Sequence, residues 1–347
     1  PGHKENSIEA ETTMQQLNRD DFRLAGHRII DLIADYWRDM DQHRVAPDVD
    51  PSTLFSRFAG TLTDLGIGLP AGVDELSDVF DGCIAMSHPL YLGLVYSSPF
   101  PEAVLGDLVV SAMDNNGGAS HQGPANAAAE REVVRWMADG LGYAGDGMIL
   151  PGGSHATLQA LQIAKYCRFP EWVRRGPTAL PARPRIYLSE ATHFSSARAA
   201  TVIGLGEASI ASVPSTGRGE LDATVLRELI RKDLEQGWQP FVVIATSGST
   251  GTGAMDPLDE IVSICQEFGV WLHVDACYGG AAALVDSHRS LFSGLADADS
   301  LAIDLHKWFF MPLTAGVVLT RHEQSARELF EVAASYIPAS GYVQAYC

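Results

Sequence analysis

The chain has 347 residues, 43 of them acidic and 24 basic, for a net charge of -19. Nucleic acid and anionic membrane surfaces would repel such a chain, and no apolar run is long enough to span a bilayer. The length suffices for one large buried core with flanking pieces.

Phe22, Leu24, Ile29, Ile30, Ile33, Tyr36 and Trp37 fall at helical spacing and predict an amphipathic helix over 22–37. Its apolar stripe has no obvious partner in the neighbouring sequence. Ala46-Pro47 to Pro51 breaks it, 52–58 fits another short helix, and 60–72 reads as a Gly/Pro-rich crossing. From His88-Pro89 to Pro101 the chain is apolar and aromatic, without Arg or Lys. Pro124 opens a long helix through Trp136 to Leu141. Apolar runs then alternate with helical patterns. Strands are expected at Arg185–Leu188, Phe241–Ala245, Val270–Val274 and Gly316–Thr320, with helices at 154–166, 194–203, 221–236 and 257–268, and Met148–Leu150 and Leu301–Ile303 are further short apolar runs. Continuous apolar strands with crossover helices imply an α/β domain built on a mostly parallel, buried sheet.

Residues able to do chemistry lie just beyond these apolar runs, where an open α/β sheet binds its ligands. Pro151-Gly152-Gly153-Ser154-His155 turns into a helix, so backbone N–H groups and the Ser154 hydroxyl can meet an anion. The turn lacks the Gly-Lys-Ser/Thr of a nucleotide loop. His193 and Thr246 follow two further runs; alone, they read as a loop histidine and a turn hydroxyl. The loop 248–253 reads as a flexible turn, and His273, inside a strand, as structural. Asp275 ends an apolar strand and is followed by the small residues Ala276, Gly279 and Gly280.

Lysine occurs only at Lys4, Lys165, Lys232 and Lys307. Lys307 sits between Leu301-Ala302-Ile303 and Trp308-Phe309-Phe310, where desolvation is expected to lower its pKa, and a neutral amine can form a Schiff base. With Asp275 available to keep a pyridine nitrogen protonated, the pair fits a pyridoxal-phosphate site. Cys83, Cys167, Cys265, Cys277 and Cys347 are odd in number and lack a Cys-x-x-Cys spacing. Reduced thiols in the cytoplasm are the simplest account. Pro1-Gly2-His3-Lys4-Glu5 does not read as a signal peptide, and no metal is expected.

Several motifs, in order, resemble the group II pyridoxal-phosphate decarboxylases, which include the aromatic-L-amino-acid, histidine and glutamate decarboxylases. They are His88-Pro89, Gly152-Gly153-Ser154-His155-Ala156-Thr157, Ser189-Glu190-Ala191-Thr192-His193, Ala245 to Gly251, His273-Val274-Asp275-Ala276 and His306-Lys307-Trp308. The resemblance runs from the first helix to Pro338. It implies a large domain of the PLP-dependent transferase-like type (fold type I) over 91–320. An N-terminal helical arm over 1–90 would pack against a second subunit, and 321–347 would begin a C-terminal segment whose small domain and mobile loop this chain largely lacks. Lys307, His193 and Asp275 would be catalytic, with His193 stacked on the cofactor ring. Gly152, Gly153, Ser154, His155, Thr246 and His306 would join them around the cofactor, and His88, Tyr91, Tyr96 and Ser97 would face the substrate.

Two positions depart from the family. His155 stands where an acid is commoner, and Asp304 where some members have Asn near the phosphate. An acid there must face away from the phosphate or find a donor. The expected function is decarboxylation of an L-amino acid with an aromatic or other apolar side chain, in a homodimer. Alternatives are an aldehyde synthase of the same family, marked by peroxide and aldehyde products, and a non-catalytic cofactor-binding protein. A transaminase or sulfur-removing enzyme fits the His306-Lys307-Trp308 context less well.

Overall fold

The computed structural model describes residues 19–60, 68–115, 117, 121–180 and 182–331. The chain divides into two compact units, Pro1–Leu94 and Val95–Cys347.

The first unit contains α1 (Arg19–Arg38), α2 (Pro51–Phe58) and α3 (Leu69–Gly82). Asp50 caps α2 by accepting the Ser52 N–H at 2.7 Å, and Pro51 fills the first helical position, where its missing N–H leaves no bond unmade. Part of the α1 stripe has a partner in its own unit, where the sequence offered none, while Phe22, Leu24 and Ile30 stay exposed. It packs on α3, with Tyr36 and Phe80 ring centroids 4.8 Å apart and Arg28 paired to Asp74. That partner begins inside the stretch expected to be a crossing. Gly68, at φ +82°, supplies its entry, and Pro70 sits in its first turn.

The second unit is built on a seven-stranded sheet: β1 (Asp146–Leu150), β2 (Arg183–Ser189), β3 (Ile210–Val213), β4 (Trp238–Thr246), β5 (Trp271–Asp275), β6 (Ser300–Asp304) and β7 (Gly316–Thr320). Their order is β1-β7-β6-β5-β4-β2-β3. The pairs from β3 through β6 are parallel, whereas β7 runs antiparallel to both β6 and β1. The helices are α4 (Pro101–Met113), α5 (Pro124–Leu141), α6 (Gly153–Arg168), α7 (Pro170–Arg175), α8 (Phe194–Val202), α9 (Ala223–Glu235), α10 (Leu258–Phe268) and α11 (Glu323–Phe330). Strand residues alternate between two faces. Val243, Ala245, Leu272, Val274, Leu301 and Ile303 pack against α5, α9 and α10, while Val242, Ile244 and Trp271 pack with α6, α7 and α8. Burial on both faces explains why the strands read as unbroken apolar runs.

A polar pin crosses this core. His273 Nδ1 lies 2.9 Å from Ser300 Oγ and its Nε2 3.4 Å from Thr157 Oγ1, while Trp271 donates to Ser300 at 3.0 Å. Burial, against the pull of Asp275, pushes His273 down to about 4, so it is neutral at neutral pH. An unfolded histidine titrates near ~6.5, so the unfolded chain binds a proton between about 4 and 6.5 that the folded one refuses. The stability this group contributes is full above ~6.5 and is lost as pH falls through the folded pKa, on the order of 3 kcal/mol in all. Asp256, which burial pushes up to about 6, has the opposite sign, so only a variant isolates the histidine. His273→Gln is therefore expected to lose less of its urea midpoint than wild type between pH 7 and 4.5. Equal losses would contradict the neutral, buried assignment.

Candidate active site

The C-terminal ends of the parallel strands form one edge of the sheet. Backbone register sets Thr246 beside Asp275, Asp275 beside Ala302, and Gly316 beside both Asp304 and Leu150. The turn after β1 thus meets the end of β6 through β7. Gly152 and Gly153 are required there by space. A Cβ on Gly153 would lie 2.2 Å from Cys277 Sγ and 3.0 Å from Asp304 Oδ2, and one on Gly152, at φ +95°, would lie 3.3 Å from the His306 ring. Bare backbone at the start of α6 is what an anion needs from a helix N-terminus.

Lys307 lies three residues past the end of β6. Its Nζ lies 2.9 Å from Asp304 Oδ2, and Asp304 Oδ1 accepts the Gly153 N–H at 2.5 Å. His306 Nε2 stands 3.7 Å from the same carboxylate, and its Nδ1 lies 2.7 Å from the Ala315 carbonyl. Burial works to lower the Lys307 pKa, but Asp304, Cys277 and Asp275 together leave it above its ordinary value. This reverses the sequence expectation, which counted desolvation and missed the counter-ion. Asp275 is 7% exposed at the end of β5 and accepts the Cys277 N–H at 3.1 Å. Burial raises the Cys277 thiol well above its usual range, so it stays protonated.

The neighbouring loops converge on the same edge. His193 caps α8, with Nδ1 2.7 Å from Ser195 Oγ and accepting the Ser195 N–H at 3.3 Å. Thr192 Oγ1 lies 3.5 Å from Thr246 Oγ1, which ties the His193 loop to the end of β4. Ser154 and His155 are exposed and line one small cavity with Ser195, Phe194 and Arg198. Ser97 donates to the Lys307 carbonyl, and the Tyr96 and His306 ring centroids are 5.9 Å apart. His88 and Tyr91 belong to the first unit, where His88 Nδ1 accepts the Leu90 N–H at 3.0 Å.

Sequence reasoning missed Asp256 and Thr192. Asp256 is 4% exposed and receives the Leu221 and Thr246 N–H groups, each at 2.7 Å, and so braces the end of β4. Its one signal was an acid before a proline at a helix start, in Asp256-Pro257.

Residues 81–346 match the family model described as the pyridoxal-dependent decarboxylase conserved domain. The chain is 34% identical over 275 residues to a glutamate decarboxylase-like protein of Gibberella zeae, covering 78% of this chain and 52% of that protein. It is 29% identical over 328 residues to the aromatic-L-amino-acid decarboxylase of Bacillus atrophaeus, covering 94% and 67%. The crystal structure of Oryza sativa TDC with PLP and tryptamine matches with a TM-score of 0.88 at 28% identity, over 94% of this chain and 69% of that one. The chain thus spans about half the length of the first relative and about two thirds of the others.

The residues present fit the cofactor these matches imply. The start of α6 can meet a phosphate through the exposed Ser154 hydroxyl and, once Asp304 releases it, the Gly153 N–H, and a part-buried amine follows the strand beside the one that ends in the buried Asp275 carboxylate. The cofactor is pyridoxal phosphate. The sequence match begins in the last turn of α3 and continues nearly to the end of the chain, across every strand that carries this chemistry: the chain belongs to the pyridoxal-dependent decarboxylase family.

Proposed function

We propose that the full-length protein converts an L-amino acid to its amine and carbon dioxide, favours aromatic or other apolar side chains, and acts as a cytoplasmic homodimer. The observation that carries this reading is the convergence of Lys307, Asp275 and the Gly152–Ser154 turn on one sheet edge. Bound there, the cofactor supplies a sink for the electron pair left on Cα when the carboxyl group departs. Lys307 contributes the amine for covalent attachment, and Asp275 holds the proton on the ring nitrogen. Gly152, Gly153 and Ser154 bind the phosphate, with His155, Thr246 and His306 around the cofactor. His193 would lie over the ring and would steer a proton to Cα. The protein's share is orientation and electrostatics.

The substrate preference rests on the segment 89–101, which carries no cation to pair with a side-chain carboxylate, so an acidic side chain buried there would be left uncompensated. His88, Tyr91, Tyr96 and Ser97 are assigned to the substrate. The relatives' names include glutamate, cysteine sulfinic acid, aspartate and aromatic substrates, so the preference needs its own experiment. Amine and carbon dioxide should be measured from phenylalanine, tyrosine, tryptophan, methionine, valine and glutamate, with peroxide and aldehyde followed alongside. Aromatic amino acids are expected to turn over fastest and to give amine. A clear preference for glutamate would overturn the side-chain assignment, and aldehyde with peroxide would overturn the product.

The homodimer is supported by α4, whose Leu105, Leu108, Val109, Val110 and Met113 are each at least half exposed. A helix that exposes so many large apolar side chains marks an association surface. The four described cysteines are free, in keeping with a reducing compartment. Among the described residues no helix is long and apolar enough to cross a membrane.

A further inference from the structure

Asp304 is a carboxylate at a position where a phosphate is to be bound. It is 5% exposed, and both its oxygens are engaged, Oδ1 by the Gly153 N–H and Oδ2 by Lys307 Nζ. One side chain thus holds both a donor of the phosphate turn and the amine that must condense with an aldehyde. A phosphate arriving at that turn meets like charge in a poorly solvated edge.

We propose that Asp304 is a positioning residue that gates cofactor uptake: without cofactor it stores Lys307 as an ammonium ion and caps α6, and loading requires it to release both. The inference rests on Lys307 being the anchoring lysine. Condensation forms a carbon–nitrogen double bond between Lys307 Nζ and the aldehyde carbon, and the carbonyl oxygen leaves as water. The ammonium proton must first pass to solvent, since only the neutral amine attacks. The groups facing this pair are Asp275 from the end of β5, the Cys277 thiol that follows it, and His306 beside the lysine. His306 also approaches Asp304, at a longer distance than Lys307, so the lysine is the principal counter-ion. The upward net pull on the Lys307 pKa agrees with this storage.

The test strips cofactor from full-length protein with hydroxylamine, adds pyridoxal phosphate, and follows the visible absorbance band from pH 6.5 to 9. Wild-type loading should accelerate about tenfold per pH unit, as the neutral fraction of a high-pKa amine does. Asp304→Asn keeps an acceptor for the Gly153 N–H but removes the charge. It should load at least about tenfold faster at pH 7 and level off at a lower pH. Asp304→Ser should shift the same way. Loading at the wild-type rate and pH profile in both variants, or slower loading in both, overturns the gate. If neither variant folds, the wild-type profile decides, because loading independent of pH overturns it equally. A reducible adduct in Lys307→Ala would instead overturn the anchoring assignment on which the gate depends.

Discussion

Replacing Lys307 with alanine is expected to leave a protein that no longer fixes its cofactor covalently. Borohydride reduction should yield no pyridoxyl-peptide, where wild type should yield one at residue 307. The chain's other lysines sharpen the expectation. Lys165 has its pKa lowered by burial, so reactivity judged by pKa alone would choose it. Yet it lies in the fourth turn of α6, about 18 Å along the helix from the glycine turn, with Nζ 3.4 Å from the Ile203 carbonyl. Lys232 is exposed in the last turn of α9, and Lys4 lies outside the described residues. Position outranks basicity here. Removing the lysine also strands the buried Asp304 carboxylate, a loss on the order of 3 kcal/mol or more for a broken buried pair. Lys307→Arg keeps a cation for Asp304 but cannot condense, so it should melt nearer wild type while still failing to anchor cofactor. An adduct at Lys165 or Lys232 in either variant, at wild-type stoichiometry, would end the assignment.

Asp275→Asn is expected to bind cofactor and to slow carbon dioxide release by roughly a hundredfold to a thousandfold, the scale of losing one preorganised electrostatic partner. The substitution is nearly isosteric, and the amide oxygen can still accept the Cys277 N–H, so the strand end should persist. What disappears is the negative charge that holds a proton on the ring nitrogen. Single-turnover carbon dioxide release together with the absorbance of bound cofactor separates the two effects. A folded, cofactor-loaded variant with near wild-type turnover would remove Asp275 from the chemistry.

Local signals carried most of the sheet. The apolar runs at 241–245 and 270–274 lie within or against observed strands because burial on both faces leaves no polar interruption. β3 was missed because Ile-Ala-Ser-Val is short and alternates in burial, which looks like loop. α4 was missed for the opposite reason: apolar residues occur around the whole helix, so no face stands out. Lys307, Asp275 and the glycine turn were visible because each follows an apolar run. The grip of Asp304 on Gly153 was not, since its partners are 151 residues apart and meet only through β7. The direction of β7 was equally hidden, because a fully buried strand has the same composition either way.

That strand has a consequence for the order in which the molecule is made. β1 touches the rest of the sheet only through β7, and Gly316 is packed so closely on Gly152 that a Cβ there would lie 2.7 Å from the Gly152 carbonyl carbon. On the ribosome, β2 to β6 can pair as they emerge, while the turn after β1 waits for residues 316–320 before it has a wall to lean on. Until then β6 presents an open edge, and the nascent chain has a lysine without a phosphate cradle. On the proposed assignment of Lys307 and the glycine turn, cofactor capture is expected to wait for closure of this long-range strand pairing rather than for synthesis of the lysine.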